Sequence, residues 1–168
     1  MAKRVVVIFP KFERLDLIEQ IRSVFDPLAA SVKAHITLMP PFEDDVSPEQ
    51  LHSHIEQAIQ NIQPFHINLQ SITGHEGEYL FLNVKRGNDK LIELRDKLYS
   101  GILATHFLPQ YTYVPHLTVG RLTNQKLFLE AVATAQEVTA TFETQISKVS
   151  VYSIQSNGTR PIDFNIPL

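Results

Sequence analysis

Two tetrapeptides in this chain offer the same chemistry: His35-Ile36-Thr37-Leu38 and His116-Leu117-Thr118-Val119. Each is aliphatic at its second and fourth positions, so each reads as a β-strand whose side chains alternate between faces. His35 then points with Thr37, and His116 with Thr118, while Ile36, Leu38, Leu117 and Val119 turn the other way and can be buried. Two imidazoles and two hydroxyls converging on one cleft suit phosphodiester chemistry. That chemistry needs one proton taken from an attacking oxygen and another delivered to a leaving oxygen. Histidine serves both tasks, because an ordinary pKa of about 6.5 lets one ring be neutral while the other is protonated near neutral pH. His35 and His116 are the expected acid and base, in either order. Thr37 and Thr118, with backbone N–H groups, would hold the non-bridging oxygens as charge redistributes. The scheme calls for no metal and no cofactor. Arg121 is a candidate phosphate clamp, although at five residues past His116 it falls out of facing parity unless the strand bulges or ends.

The elements that must position these groups follow from periodicity. Arg4 to Phe9 is short, β-branched and closed by Pro10, which predicts a buried strand. Leu15, Ile18, Ile21, Val24 and Phe25 recur at helical spacing up to Asp26-Pro27. The His35 strand is expected to stop at Met39-Pro40-Pro41. Ser47-Pro48 then reads as the cap and first residue of a helix with Leu51, Ile55, Ala58 and Ile62 on its apolar stripe. Phe65 to Ile72 alternates, Gly74 to Gly77 breaks it, and Tyr79 to Val84 alternates again. A helix from Gly87 to about Leu103 leads to the His116 strand, and another from about Asn124 to Gln136 follows. Strands near Thr141 to Ile154 and Ile162 to Ile166, joined by an Asn157-Gly158 turn, close the chain. The same order of elements thus occurs twice, which predicts a duplicated unit with approximate repeats 1–76 and 77–168 sharing one core.

Composition bounds the partners. With 168 residues, 43% of them hydrophobic, the chain can form one domain with a substantial core. A net charge of −3 argues against gripping long duplexes, which needs many phosphate contacts, but leaves a single terminal phosphate open. There are no cysteines, and therefore no disulfides, thiolate metal sites or cysteine nucleophiles. The apolar run after Arg4 is too short for a signal peptide or a membrane span, so a cytoplasmic location is expected. Phe42, Tyr111 and Tyr113 lie near the motifs, where they could stack on a base or simply pack in the core. Lys33, Arg86 and Arg160 read as solvated charge or a cleft rim. His52 and His54 diverge around their helix rather than forming a metal pair, and His66, His75 and His106 read as surface or loop histidines.

The paired tetrapeptides, their half-chain spacing and the run Pro115-His116-Leu117-Thr118-Val119-Gly120-Arg121 resemble the 2H phosphoesterase superfamily, near its 2′-5′ RNA ligase and cyclic phosphodiesterase branch. Met39-Pro40-Pro41-Phe42 is similar to the exit from the first motif in a bacterial subgroup. The resemblance implies a bilobal α+β fold, a pseudo-twofold duplication with antiparallel sheets lining a central cleft and helices outside. It also implies metal-independent action on 2′,3′-cyclic phosphates or 2′-5′ linkages of nucleotides or RNA ends. Besides the two histidines, expected substrate-binding residues are Thr37, Thr118, Arg121, Phe42 and Tyr113. Two other readings remain open at this point: a phosphohistidine-forming transferase, and a non-catalytic module that binds terminal phosphates.

Overall fold

The computed structural model describes residues 2–168. Their strands form one curled, eight-stranded sheet in which every pairing is antiparallel. In chain order the elements are β1 (Ala2–Ile8), α1 (Leu15–Phe25), β2 (Ile36–Asp44), α2 (Pro48–Ile59), β3 (Phe65–His75), β4 (Tyr79–Arg86), α3 (Asn88–Leu98), a 3-10 turn (Gly101–His106), β5 (His116–Arg121), α4 (Gln125–Ala135), β6 (Thr141–Ile146), β7 (Lys148–Ser153) and β8 (Ile162–Pro167). The α+β class and antiparallel pairing that the resemblance implies are what the chain adopts, with one continuous curled sheet supplying both lobes. Among the described residues, no helix is long and apolar enough to cross a membrane.

Local signals set the helix starts. Ser47 accepts a hydrogen bond from the Gln50 N–H at 3.2 Å while the Gln50 side chain accepts one from the Ser47 N–H at 3.1 Å, with Pro48 beginning α2. Asn124 caps α4 through the Leu127 N–H. The third helix is shorter than its periodicity predicts. Ser100 is extended and Gly101 has φ +48°, which breaks α3 after Leu98. A Cβ on Gly101 would stand 2.8 Å from the His54 ring, so the break lets the chain pass close to α2.

The sheet order is β6-β3-β4-β5-β2-β1-β7-β8. It divides into two four-stranded arms, β5-β4-β3-β6 and β2-β1-β7-β8, joined where Ile36 of β2 pairs with Leu117 of β5. The arms are not the sequence halves 1–76 and 77–168. β3 belongs to the first half yet pairs with β4 and β6, while β7 and β8 belong to the second half yet pair on β1. The proposed boundary falls at the tip of the β3–β4 hairpin, whose turn places Glu76 and Gly77 at positive φ, and hairpin neighbours pair with each other. A single residue, Ser147, links β6 at one edge of the sheet to β7 near the other. That connection requires the sheet to curl so that the arms face each other.

The main core lies between the sheet and the helices and includes Ile18, Ile36, Leu38, Leu51, Leu94, Leu117 and Val119. A smaller apolar group of Val5, Val7, Val32 and Tyr152, with Phe9 and Ile154 packed against it, occupies the other face of β1 and β7.

Candidate active site

The bridge between Ile36 and Leu117 organises the cleft. Both residues are fully buried on the core side, while His35, Thr37, His116 and Thr118 are half-buried on the opposite face. Continuing the antiparallel register by one residue in each direction sets Thr37 opposite His116 and His35 opposite Thr118. The two histidines and two threonines are therefore related by a local twofold, and within each strand histidine and threonine share a face as alternation predicts.

Each imidazole is held in the same way. His35 Nδ1 lies 2.7 Å from the carbonyl of Lys33, and His116 Nδ1 lies 2.6 Å from the carbonyl of Val114, two residues back in each case. A carbonyl only accepts, so Nδ1 carries the proton in both rings and Nε2 is left for the cleft. Burial lowers the pKa of both histidines below the ordinary value. For His35 the Lys33 carbonyl opposes this, Arg22 adds to it, and Asp26 and Glu19 oppose it. For His116 the Val114 carbonyl opposes the effect of burial, while His75 and His35 add to it.

Arg121 reaches the cleft face through a bulge. Phe81 pairs with Thr118 but Leu80 pairs with Gly120, so β5 carries one extra residue there. Val119 and Gly120 are consecutive buried residues, and Arg121 regains the facing of His116 and Thr118. Its guanidinium bonds Glu78 and lies 5.4 Å from the centre of the Tyr79 ring.

The surroundings of the two histidines differ. His35 meets the edges of Phe9 at 5.9 Å and Tyr152 at 6.1 Å. His116 stacks on Phe81 at 3.5 Å, and His75 stacks on the same ring at 4.7 Å. His75 is thus exposed, as its sequence context suggests, yet part of the column beside His116. Sequence reasoning passed over Phe9, Phe81 and Tyr152. The alternation of Tyr79, Phe81 and Asn83 with buried Leu80, Leu82 and Val84 is the signal that places Phe81 on the cleft face.

Phe42 and Tyr113 do not line the cleft as base-stacking groups. Phe42 is 6% exposed and packs against the His106 ring at 4.9 Å, beside Met39 and Pro40. Tyr113 donates its hydroxyl to the Thr37 carbonyl at 2.9 Å, with Arg95 4.8 Å from its ring centre. It ties the segment before β5 to β2. Nor does the proline pair end β2, which continues to Asp44. Arg4 pairs with Phe42 and Val6 with Met39, so Pro40 and Pro41 fall in a register irregularity on a stretch that β5 no longer pairs. A missing N–H costs no ladder bond there. Of the rim candidates, Arg160 lies near enough to Tyr152 to oppose the larger upward push that burial exerts on its hydroxyl. His52 turns to Phe164, and His54 lies against Gly101.

Comparison with known proteins agrees with this architecture. Residues 9–158 match the 2′-5′ RNA ligase superfamily. A Bacillus licheniformis protein provisionally named a phosphoesterase is 25% identical over 157 residues, 91% of this chain and 90% of the relative. A Geobacillus kaustophilus protein of the same provisional designation is 29% identical over 119 residues, 69% of this chain and 67% of its own length. Among solved structures, Escherichia coli LigT in its apo form superposes with a TM-score of 0.59 at 19% identity, covering 99% of this chain and 94% of LigT. LigT complexed with NADP+ gives 0.58 at 18% identity, over 99% and 95%. At such identities the two structures speak for the fold, while the match across most of the chain speaks for the family. The chain belongs to the 2′-5′ RNA ligase superfamily and is an enzyme of the 2H phosphoesterase type.

Proposed function

We propose that this protein opens or hydrolyses 2′,3′-cyclic phosphates or 2′-5′ phosphodiester linkages of nucleotides or RNA ends, with His35 and His116 as its acid and base. The observation that carries the reading is the matched pinning of both Nδ1 atoms to carbonyls two residues back. It leaves two Nε2 atoms on one cleft face, one able to accept a proton from the attacking oxygen and the other, once protonated, to donate to the leaving oxygen. Thr37 and Thr118 supply hydroxyls on that face, and the facing that Arg121 regains after the β5 bulge supports reading its guanidinium, bonded to Glu78, as a phosphate clamp. Both proton transfers are accounted for by side chains, so the scheme needs neither metal nor cofactor.

The test is a screen of nucleoside 2′,3′-cyclic phosphates and 2′-5′-linked dinucleotides in the presence of a chelator, resolving 2′- from 3′-phosphate products. Turnover should persist in chelator and vanish in the double variant His35→Ala, His116→Ala. Activity that survives the double change, or that chelator abolishes, refutes the scheme.

A further inference from the structure

Behind His35 lies a buried ion cluster that the acid–base scheme does not use. Arg22 of α1 is 1% exposed. It contacts Asp26 at 2.8 Å, Glu19 at 2.8 Å and the carbonyl of Val32 at 2.9 Å. Glu19 in turn accepts the N–H of Ala34 at 2.7 Å. The cluster therefore grips the chain at residues 32 and 34, on either side of Lys33, whose carbonyl accepts the Nδ1–H of His35.

The other histidine shows why a grip is required. His116 donates the same bond to the Val114 carbonyl, but Pro115 stands between them. Proline fixes its own φ and confines the preceding residue to extended backbone, so that carbonyl is stiff by local covalent geometry. At His35 the intervening residue is Ala34, which imposes no such restriction. Stability alone does not explain the charges either, because apolar side chains of similar volume commonly replace a buried ion cluster without loss.

We propose that Glu19, Arg22 and Asp26 are positioning residues for His35, holding the Lys33 carbonyl that sets its tautomer and ring orientation in the way Pro115 does for His116. Around His35 the cluster contributes two carboxylates and one guanidinium, and Lys33, Tyr152, Thr118 and His116 are further polar residues beside it. Arg22 acts on the ring in the opposite sense to Asp26 and Glu19, and the proposed role is one of geometry. It gains catalytic meaning from the reading of His35 as a proton-transfer group, although the grip itself does not depend on that reading.

The experiment uses Arg22→Lys, which keeps the charge but loses the planar fork, with Glu19→Ala and Glu19→Gln. Histidine nitrogen NMR on the free protein reads the tautomers of His35 and His116, and steady-state kinetics on a 2′,3′-cyclic nucleotide read kcat and KM. In Arg22→Lys and Glu19→Ala, His35 should populate the Nε2–H tautomer while His116 does not change. The value of kcat should fall roughly 10- to 100-fold, as expected for a misplaced catalytic ring, with KM little altered. Glu19→Gln, which retains an acceptor for Ala34, should stay near wild type. An unchanged His35 tautomer in either folded variant, or an equal change at His116, overturns the proposal. If the wild type turns over no cyclic phosphate but the tautomers respond as stated, the positioning role stands and the proposed substrate class fails.

Discussion

Gly120 occupies the β5 bulge beneath the end of α1, and Gly120→Ala tests how tightly the cleft depends on that contact. A Cβ added there would stand 2.8 Å from Phe25 Cβ and 2.9 Å from Leu80 Cδ1. Ordinary carbon contacts begin near 3.5 Å, so each neighbour must give by roughly 0.6–0.7 Å. Leu80 can do so by rotating the end of its side chain. Phe25 cannot, because Cβ is fixed to the helix backbone, so α1 or β5 must move. Overpacking of this kind costs about 1–3 kcal/mol. At about 2–4 °C per kcal/mol for a chain of this size, the melting temperature should fall by roughly 2–12 °C. The same displacement touches both halves of the site, since β5 carries His116 and α1 carries the cluster behind His35, so turnover measured well below the transition should fall too. A single variant as stable as wild type, within about 0.5 kcal/mol in urea unfolding, would show that the α1–β5 contact is looser than these distances require.

Other perturbations bear on the site itself. Tyr113→Phe removes the hydroxyl bonded to the Thr37 carbonyl, and should cost about 0.5–1.5 kcal/mol by urea unfolding; no change would mean that water replaces the hydroxyl without loss. Phe81→Ala uncovers the imidazole of His116. Because burial is the largest cause of that ring's lowered pKa, NMR titration should show it rise toward the ordinary value, whereas a further fall would contradict this account. The pH profile of kcat/KM should be a bell displaced to the acid side of about 6.5, since both histidines titrate below their ordinary value in the free enzyme. Its two limbs belong to the pair rather than to either ring. Stability has the same origin. Below about pH 6.5 the unfolded chain binds protons at these positions that the folded chain resists, so the histidines favour unfolding progressively as pH falls toward their folded-state values. His35→Phe should flatten that part of the stability curve, and an unchanged slope would remove His35 as a contributor.

The tetrapeptides alone determine that His35 and Thr37 share a face, as do His116 and Thr118, because alternation is a property of any extended strand. Helix starts at Ser47 and Asn124 were legible for a similar reason: the cap and the N–H it satisfies lie within one turn. The reach of β2 beyond Pro40-Pro41 was not, since whether a proline breaks a strand depends on whether its N–H would have had a partner. Nor could periodicity place Arg121, because a bulge is a relation between β4 and β5 and leaves little trace in β5 itself. Phe42 and Tyr113 lie close to the motifs in sequence but turn to His106 and the Thr37 carbonyl once α3 and the segment after it have packed. Pairing of the two histidine strands, the exchange of β3 against β7 and β8 between arms, and the grip of α1 on the chain before His35 were decided only by tertiary structure. Local sequence governs which way a side chain faces along its own strand, while long-range packing governs what it faces.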